Sequence, residues 1–164
     1  FCNKRERAEE ITEWLQSRNV SAQVMHGDFD QAVRLDKTRK FRTGQVKVMV
    51  ATDVAARGLD LTNISHVINY DMPFKGEIYI HRIGRTGRGD QVGTALNLVE
   101  HHDLKNLERI EFHLDTKLPV GKIKGLEPKS KMNKAKSKNK NKKNADKPRY
   151  IAKKDRVDSP KDSD

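Results

Sequence analysis

Val46–Ala51 (VKVMVA) is almost continuously apolar and β-branched. Such a run reads as a strand buried on both faces, a situation found in parallel sheets covered by helices. His66–Tyr70 (HVINY) is a second run of this kind. Asp71-Met72-Pro73 ends it, because proline has no N–H to give to a sheet. Helical patterns lie between such runs. Lys4–Arg18 sets Ala8, Ile11, Trp14 and Leu15 on one stripe. Val20–Met25 alternates apolar and polar as a short strand does. Asp30 is placed to cap a helix over Gln31–Thr43, and Gly44 follows it where a left-handed C-terminal cap wants glycine. Glu77–Arg85 reads as a helix, Gly87, Gly89 and Asp90 as a turn, and Gly93–Val99 as a strand. Asp103–Phe112 reads as a last helix with Leu104, Leu107 and Ile110 inward. Strands alternating with helices predict an α/β fold with a mostly parallel sheet. Ligands of such sheets bind beyond the strands' carboxyl ends, which singles out the loops after Met25, Ala51 and Tyr70.

Composition divides the 164 residues in two. The chain carries 34 Lys+Arg, 23 Asp+Glu and a net charge of +11, with 34% hydrophobic residues. That share is below the roughly 45–50% of a globular domain. The excess charge sits in residues 129–164, which hold 14 Lys+Arg and 5 Asp+Glu, leaving a nearly neutral body before them. We expect a folded domain over 1–118, a linker over 119–128, and a disordered lysine-rich tail over 129–164. Such a tail cannot bury enough apolar surface to offset its ordering entropy. It either attracts phosphate backbones without reading sequence or serves as a solvated extension.

Several classes are excluded. No stretch approaches the ~18–20 apolar residues of a membrane span. One cysteine, Cys2, makes no internal disulfide, and one Cys with 6 scattered His lacks the Cys pairs of a zinc site. The chain opens on Phe1 in what reads as a strand end, with no leader-like stretch. It is therefore expected to be an internal piece of a longer cytoplasmic polypeptide.

Three segments carry chemistry. His81-Arg82-Ile83-Gly84-Arg85-Thr86-Gly87-Arg88 places three arginines among two glycines at a helix end. Guanidiniums converging there suit a polyphosphate, which they neutralise and grip by forked donation. Ala51–Asp60 (ATDVAARGLD) gathers a hydroxyl, carboxylates, an arginine and a glycine just after a buried strand. Thr52 could donate to phosphate, and Asp60 could accept from ribose hydroxyls. Gln31 and Arg34 share a face at a helix start, where a backbone phosphate could sit. Of the remaining residues, Trp14 is expected in the core or at its rim, and Cys2 as a buried thiol. His26 fits a turn, and His101 and His102 fit a helix start.

Taken in order and spacing, these segments resemble motifs of the C-terminal RecA-like domain of DEAD-box RNA helicases over roughly residues 1–115. Phe1–Lys4 is similar to the end of motif IV, Gln31–Arg34 to the QxxR motif, Ala51–Asp60 to motif V, and 81–88 (HRIGRTGR) to motif VI. The leading His81 favours DEAD-box over DEAH-type proteins. The resemblance implies a three-layer RecA-like α/β sandwich that clamps ATP and grips RNA together with a first RecA-like domain in cis. It implies Arg85 and Arg88 as arginine fingers at the γ-phosphate. It sets Asp60, Gly58, His81 and Arg82 on the nucleotide side, and Gln31, Arg34 and Thr52 on the RNA backbone, and it offers His26 a position near RNA as the alternative to a plain turn. The chain holds no GxxxxGK[ST] loop and no Asp-Glu-Ala-Asp. The phosphate cradle and Mg²⁺ are thus assigned to the first domain, and this piece alone is expected to be inactive. Residues 100–131 with the following tail look most like bacterial members associated with ribosome assembly, which suggests ribosomal precursor particles as partners. Two alternatives stay open: a catalytically silent RNA-binding module, and a DNA helicase of the same superfamily.

Overall fold

The computed structural model describes residues 1–56, 61, 64–87, 92–121, 123 and 125, with the side chain of Ala56 left aside. All of these belong to the unit Phe1–Pro128. Residues 129–164, the expected tail, lie outside the described residues.

The elements run α1 (Arg5–Gln16), β1 (Ala22–Met25), α2 (Gln31–Arg42), β2 (Val48–Ala51), α3 (Asp53–Ala56), β3 (His66–Asn69), α4 (Gly76–Ile83), β4 (Thr94–Asn97), a 3₁₀ turn (His101–Asp103) and α5 (Leu104–Leu114). β1 and β2 pair in parallel from Ala22↔Val48 to Met25↔Ala51. β3 and β4 pair in parallel from His66↔Thr94 to Asn69↔Asn97.

The first residues stitch the two pairs together. Cys2 N donates to Ala51 O at 3.0 Å, and Cys2 forms a parallel bridge with Thr52. On the other side, Phe1 N donates to Ile68 O at 2.6 Å, and Tyr70 N donates to Phe1 O at 3.0 Å. The lateral order is therefore β1, β2, Phe1–Cys2, β3, β4. Cys2 is fully buried there, and burial pushes its thiol pKa up.

Helices complete the layers. α1 lays Ala8 and Ile11 onto Val50, Val24 and Val48. Phe41 of α2 packs toward Met25, Ala51, Ala55 and Leu61. Tyr79 and Ile83 of α4 meet Ile110, Leu107 and Leu114 of α5 around Met72. Thr12, fully within the α1 stripe, satisfies its buried hydroxyl by donating to Ala8 O at 2.7 Å.

The elements expected at these places are present, with ends shifted by at most two residues. Gly44 does take the left-handed conformation, at φ +75°. Asp30 does cap α2, its carboxylate accepting from Val33 N at 2.8 Å. Asp30→Ala is expected to lower stability by about 1 kcal/mol, readable as a shift of the urea midpoint at unchanged slope.

Two expectations fail. Trp14 is 55% exposed, with Arg18 stacked 3.7 Å over its ring. Position 14 falls outside the stripe formed by 8, 11, 12 and 15, so α1 turns it to solvent. β3 is not buried on both faces: it alternates, with Val67 and Asn69 buried and Ile68 47% exposed. Asn69 faces α4, where it meets Arg82, and Ile68 points to the opposite side of the sheet.

Candidate functional site

The three motifs meet at the carboxyl ends of the parallel strands, and two arginines tie them there. The first is Arg82 on α4. Its guanidinium has five N–H donors, and protein atoms take all five. Nε and Nη2 donate to the two carboxylate oxygens of Asp53 at 2.7 and 2.9 Å. Nη1 donates to Asn69 Oδ1 at 3.2 Å and to Asp71 O at 2.7 Å. Nη2 donates also to Asn3 Oδ1 at 2.8 Å. Arg82 is 1% exposed, and the Phe1 ring lies 5.3 Å away on one side. A buried cation needs such full pairing, because an unpaired charge there would cost several kcal/mol.

Arg82, expected on the nucleotide side, is placed by the fold in the interior. With every donor engaged and no exposed surface, its place is to join α4, the end of β2, the end of β3 and the first segment.

The second tie is Arg34 on the first turn of α2. Its Nη2 donates to Ala55 O at 3.0 Å, linking the QxxR helix to α3. Gln31 Oε1 stands 3.5 Å from Arg34 Nη1, the outer limit of a hydrogen bond, and Gln31 is exposed. Thr52 sits at the end of β2, only 8% exposed, and its backbone N donates to Met25 O at 3.1 Å.

The turn after α4 is built from its own sequence. Arg85 N and Thr86 N donate to Arg82 O and Ile83 O at 3.1 and 3.0 Å, and Gly87 takes φ +66°. Thr86 Oγ1 donates to Ile64 O, and the two residues form a parallel bridge. Arg85 is half-buried, its Nε 3.3 Å from His81 O, and His81 is exposed on the same last turn. Gly93 approaches so closely that a Cβ there would run into Gly87 N and Thr86 Oγ1. Gly93→Ala is expected to displace the Arg85 turn and cost about 1–3 kcal/mol, measurable by thermal unfolding. Gly58, Asp60 and Arg88 lie outside the described residues.

The loop after β1 is packed, not open. His26 is buried and stacks on Phe29 with centroids 4.2 Å apart, its Nε2 3.0 Å from Glu9 Oε1. Lys37 Nζ donates to Val24 O at 2.9 Å and lies 3.8 Å over the Phe29 ring. Burial, aided by Lys40, lowers the Lys37 pKa. His101 and His102 open the 3₁₀ turn, as expected of a helix start. Among the described residues no group of three or more His, Cys, Asp or Glu gathers that could hold a metal, and no helix is long and apolar enough to cross a membrane.

Sequence reading passed over Asn3, Asp53, Asn69 and Asn97 as functional residues. The available signal was Asn69, a polar residue inside the apolar run HVINY. A polar residue in such a place must find partners.

Comparison with known proteins bears on the family and the fold. The family described as Helicase conserved C-terminal domain matches residues 1–90. The ATP-dependent RNA helicase SrmB of Haemophilus influenzae is 42% identical over 131 residues, covering 80% of this chain and 30% of that protein. Eukaryotic initiation factor 4A of Caenorhabditis elegans is 42% identical over 118 residues, covering 72% of this chain and 29% of its own. The crystal structure of the Escherichia coli DEAD-box protein SrmB bound to regulator of ribonuclease activity A superposes with TM-score 0.76 at 41% identity, covering 79% of this chain and 76% of that one. A DEAD box protein of Methanococcus jannaschii superposes with TM-score 0.68 at 35% identity, covering 71% and 32%. The chain thus spans about 30% of the length of the curated relatives it matches. Its parallel sheet between helix layers is that of the RecA-like helicase domains. From motif, fold and kinship alike, the chain belongs to the helicase conserved C-terminal domain family, among the DEAD-box proteins that SrmB represents.

Proposed function

We propose that this chain is the C-terminal half of an ATP-dependent RNA helicase that couples ATP binding and hydrolysis to local unwinding or remodelling of RNA. The observation that carries this reading is the convergence of three motifs on one rim, through Arg82 on Asp53 and Arg34 on Ala55. The SrmB relatives, named as ATP-dependent RNA helicases, support it.

The donor set fits a polyphosphate end. Arg85 stands on a turn fixed by Thr86 against Ile64, next to the exposed His81, with a buried hub behind it. In this reading Arg85, with Arg88, places positive charge where the γ-phosphate develops negative charge, the role that arginine fingers perform in phosphoryl transfer. Asp60 and Gly58 serve the ribose side, and His81 couples motif VI to a first RecA-like domain of the same polypeptide. Gln31, Arg34 and Thr52 form the RNA-backbone side, where phosphate and 2′-hydroxyl contacts carry no sequence information. Mg²⁺ and the phosphate cradle belong to that first domain. The basic residues 129–164 raise the local RNA concentration, and ribosomal precursor particles in the cytoplasm are the proposed substrate context.

Phosphate release tests this reading. The 164-residue chain alone, given ATP and RNA, is expected to release none. The full polypeptide is expected to turn ATP over when RNA is added. Turnover by the isolated chain, or none by the full polypeptide, would overturn it; the second result would favour an RNA-binding module.

A further inference from the structure

Asn69 is the last residue of β3, and its side chain is fully buried. Its Oδ1 accepts from Arg82 Nη1 at 3.2 Å. A guanidinium only donates, so this fixes which end of the amide faces Arg82. Nδ2 of Asn69 then donates to Asn97 Oδ1 at 2.8 Å. Nδ2 of Asn97 in turn donates to Tyr79 Oη at 3.2 Å. Each orientation follows from the one before, so the row of bonds has a single direction, from Arg82 to Tyr79.

The row closes on itself. Asn69 and Asn97 are register partners on β3 and β4. Arg82 and Tyr79 both lie on α4, three residues apart and hence on one face. Helix α4 is therefore pinned to the sheet at two points about one turn apart. One point would leave it free to roll; two fix the roll. Arg85 follows directly, on a turn whose first bond is Arg85 N to Arg82 O at 3.1 Å. The direction in which Arg85 projects is inherited from the roll of α4.

The geometry points to Asn69 and Asn97 as positioning residues for Arg85: the buried amide pair sets the roll of α4 and so the aim of the finger. This rests on the proposed role of Arg85. Misplacing a reacting group by about 1 Å can cost on the order of 100-fold in rate, so loss of one pin is expected to be felt in turnover.

The test uses Asn97→Leu, which keeps the branching and heavy-atom count and removes the amide, and Tyr79→Phe, which keeps the apolar packing and removes only the last bond. In the full polypeptide each variant is expected to lower kcat of RNA-stimulated ATP hydrolysis by about 10- to 100-fold, with KM for ATP unchanged. In an Arg85→Ala background neither is expected to lower kcat further, because they act through Arg85. Additive losses, or unchanged kcat in the single variants, would overturn the proposal. A second measurement needs no catalysis. In the 164-residue chain, solvent exchange of the Arg82 Nε–H proton, followed by NMR, is expected to quicken at least about 10-fold in both variants, as loosening of a buried unit allows. Unchanged exchange would refute the pinning of Arg82. If the unsubstituted full polypeptide hydrolyses no ATP, the helicase reading fails, and the exchange measurement still decides whether the amide pair holds the hub.

Discussion

Arg82→Ala is expected to destabilise the domain by about 3–5 kcal/mol, the range for breaking one side of a buried ion pair. The substitution removes five hydrogen bonds and strands Asp53, Asn69 and Asn3 without their shared donor. Asp53 keeps some contact with solvent, its side chain 26% exposed, which favours the lower half of that range. A domain of this size holds only about 5–15 kcal/mol in all, so the loss is a large fraction of it. In thermal unfolding it corresponds to a fall in Tm of about 10 °C. Arg82→Lys is expected to recover little. An ammonium brings three donors where five are used and cannot fork across the Asp53 carboxylate.

Arg85→Ala is expected to fail in the opposite way. In the full polypeptide it should lower RNA-stimulated phosphate release by about 10³-fold or more, as loss of an arginine finger does. Its effect on stability should be much smaller than that of Arg82, because Arg85 stands half-exposed on a turn and Arg82 is buried in a five-bond network. Phosphate-release kinetics beside thermal unfolding separate the two residues: one variant fails to hold together, the other folds and turns over little ATP. Retained turnover in Arg85→Ala would exclude the finger role.

Much of the fold was legible because local rules and tertiary packing agreed. The strand in VKVMVA packs on both faces, Val48 and Val50 on one and Met49 and Ala51 on the other, Asp30 capped α2, and Gly44 took the positive φ that its position after a helix calls for. Trp14 and Ile68 were misread because burial depends on what lies opposite, which periodicity within one segment does not contain. The site was half legible for a related reason. Arg85, as a finger, and Arg82 were both expected on the nucleotide side, three residues apart on one motif. Only the fold distinguishes them, by turning Arg82 inward onto Asp53, Asn69, Asp71 and Asn3, residues up to 79 positions away in sequence. No short-range pattern encodes such partners. The one local trace was Asn69, whose amide in an apolar strand required a buried polar partner.

The most direct test of the central claim is phosphate release by the full polypeptide, with a single-stranded RNA and the DNA of the same sequence compared side by side. A grip that reads phosphates and ribose 2′-hydroxyls predicts that ATP turnover rises with RNA and stays at its basal level with DNA. Equal stimulation by DNA would contradict the RNA-helicase account and leave a DNA helicase of the same fold.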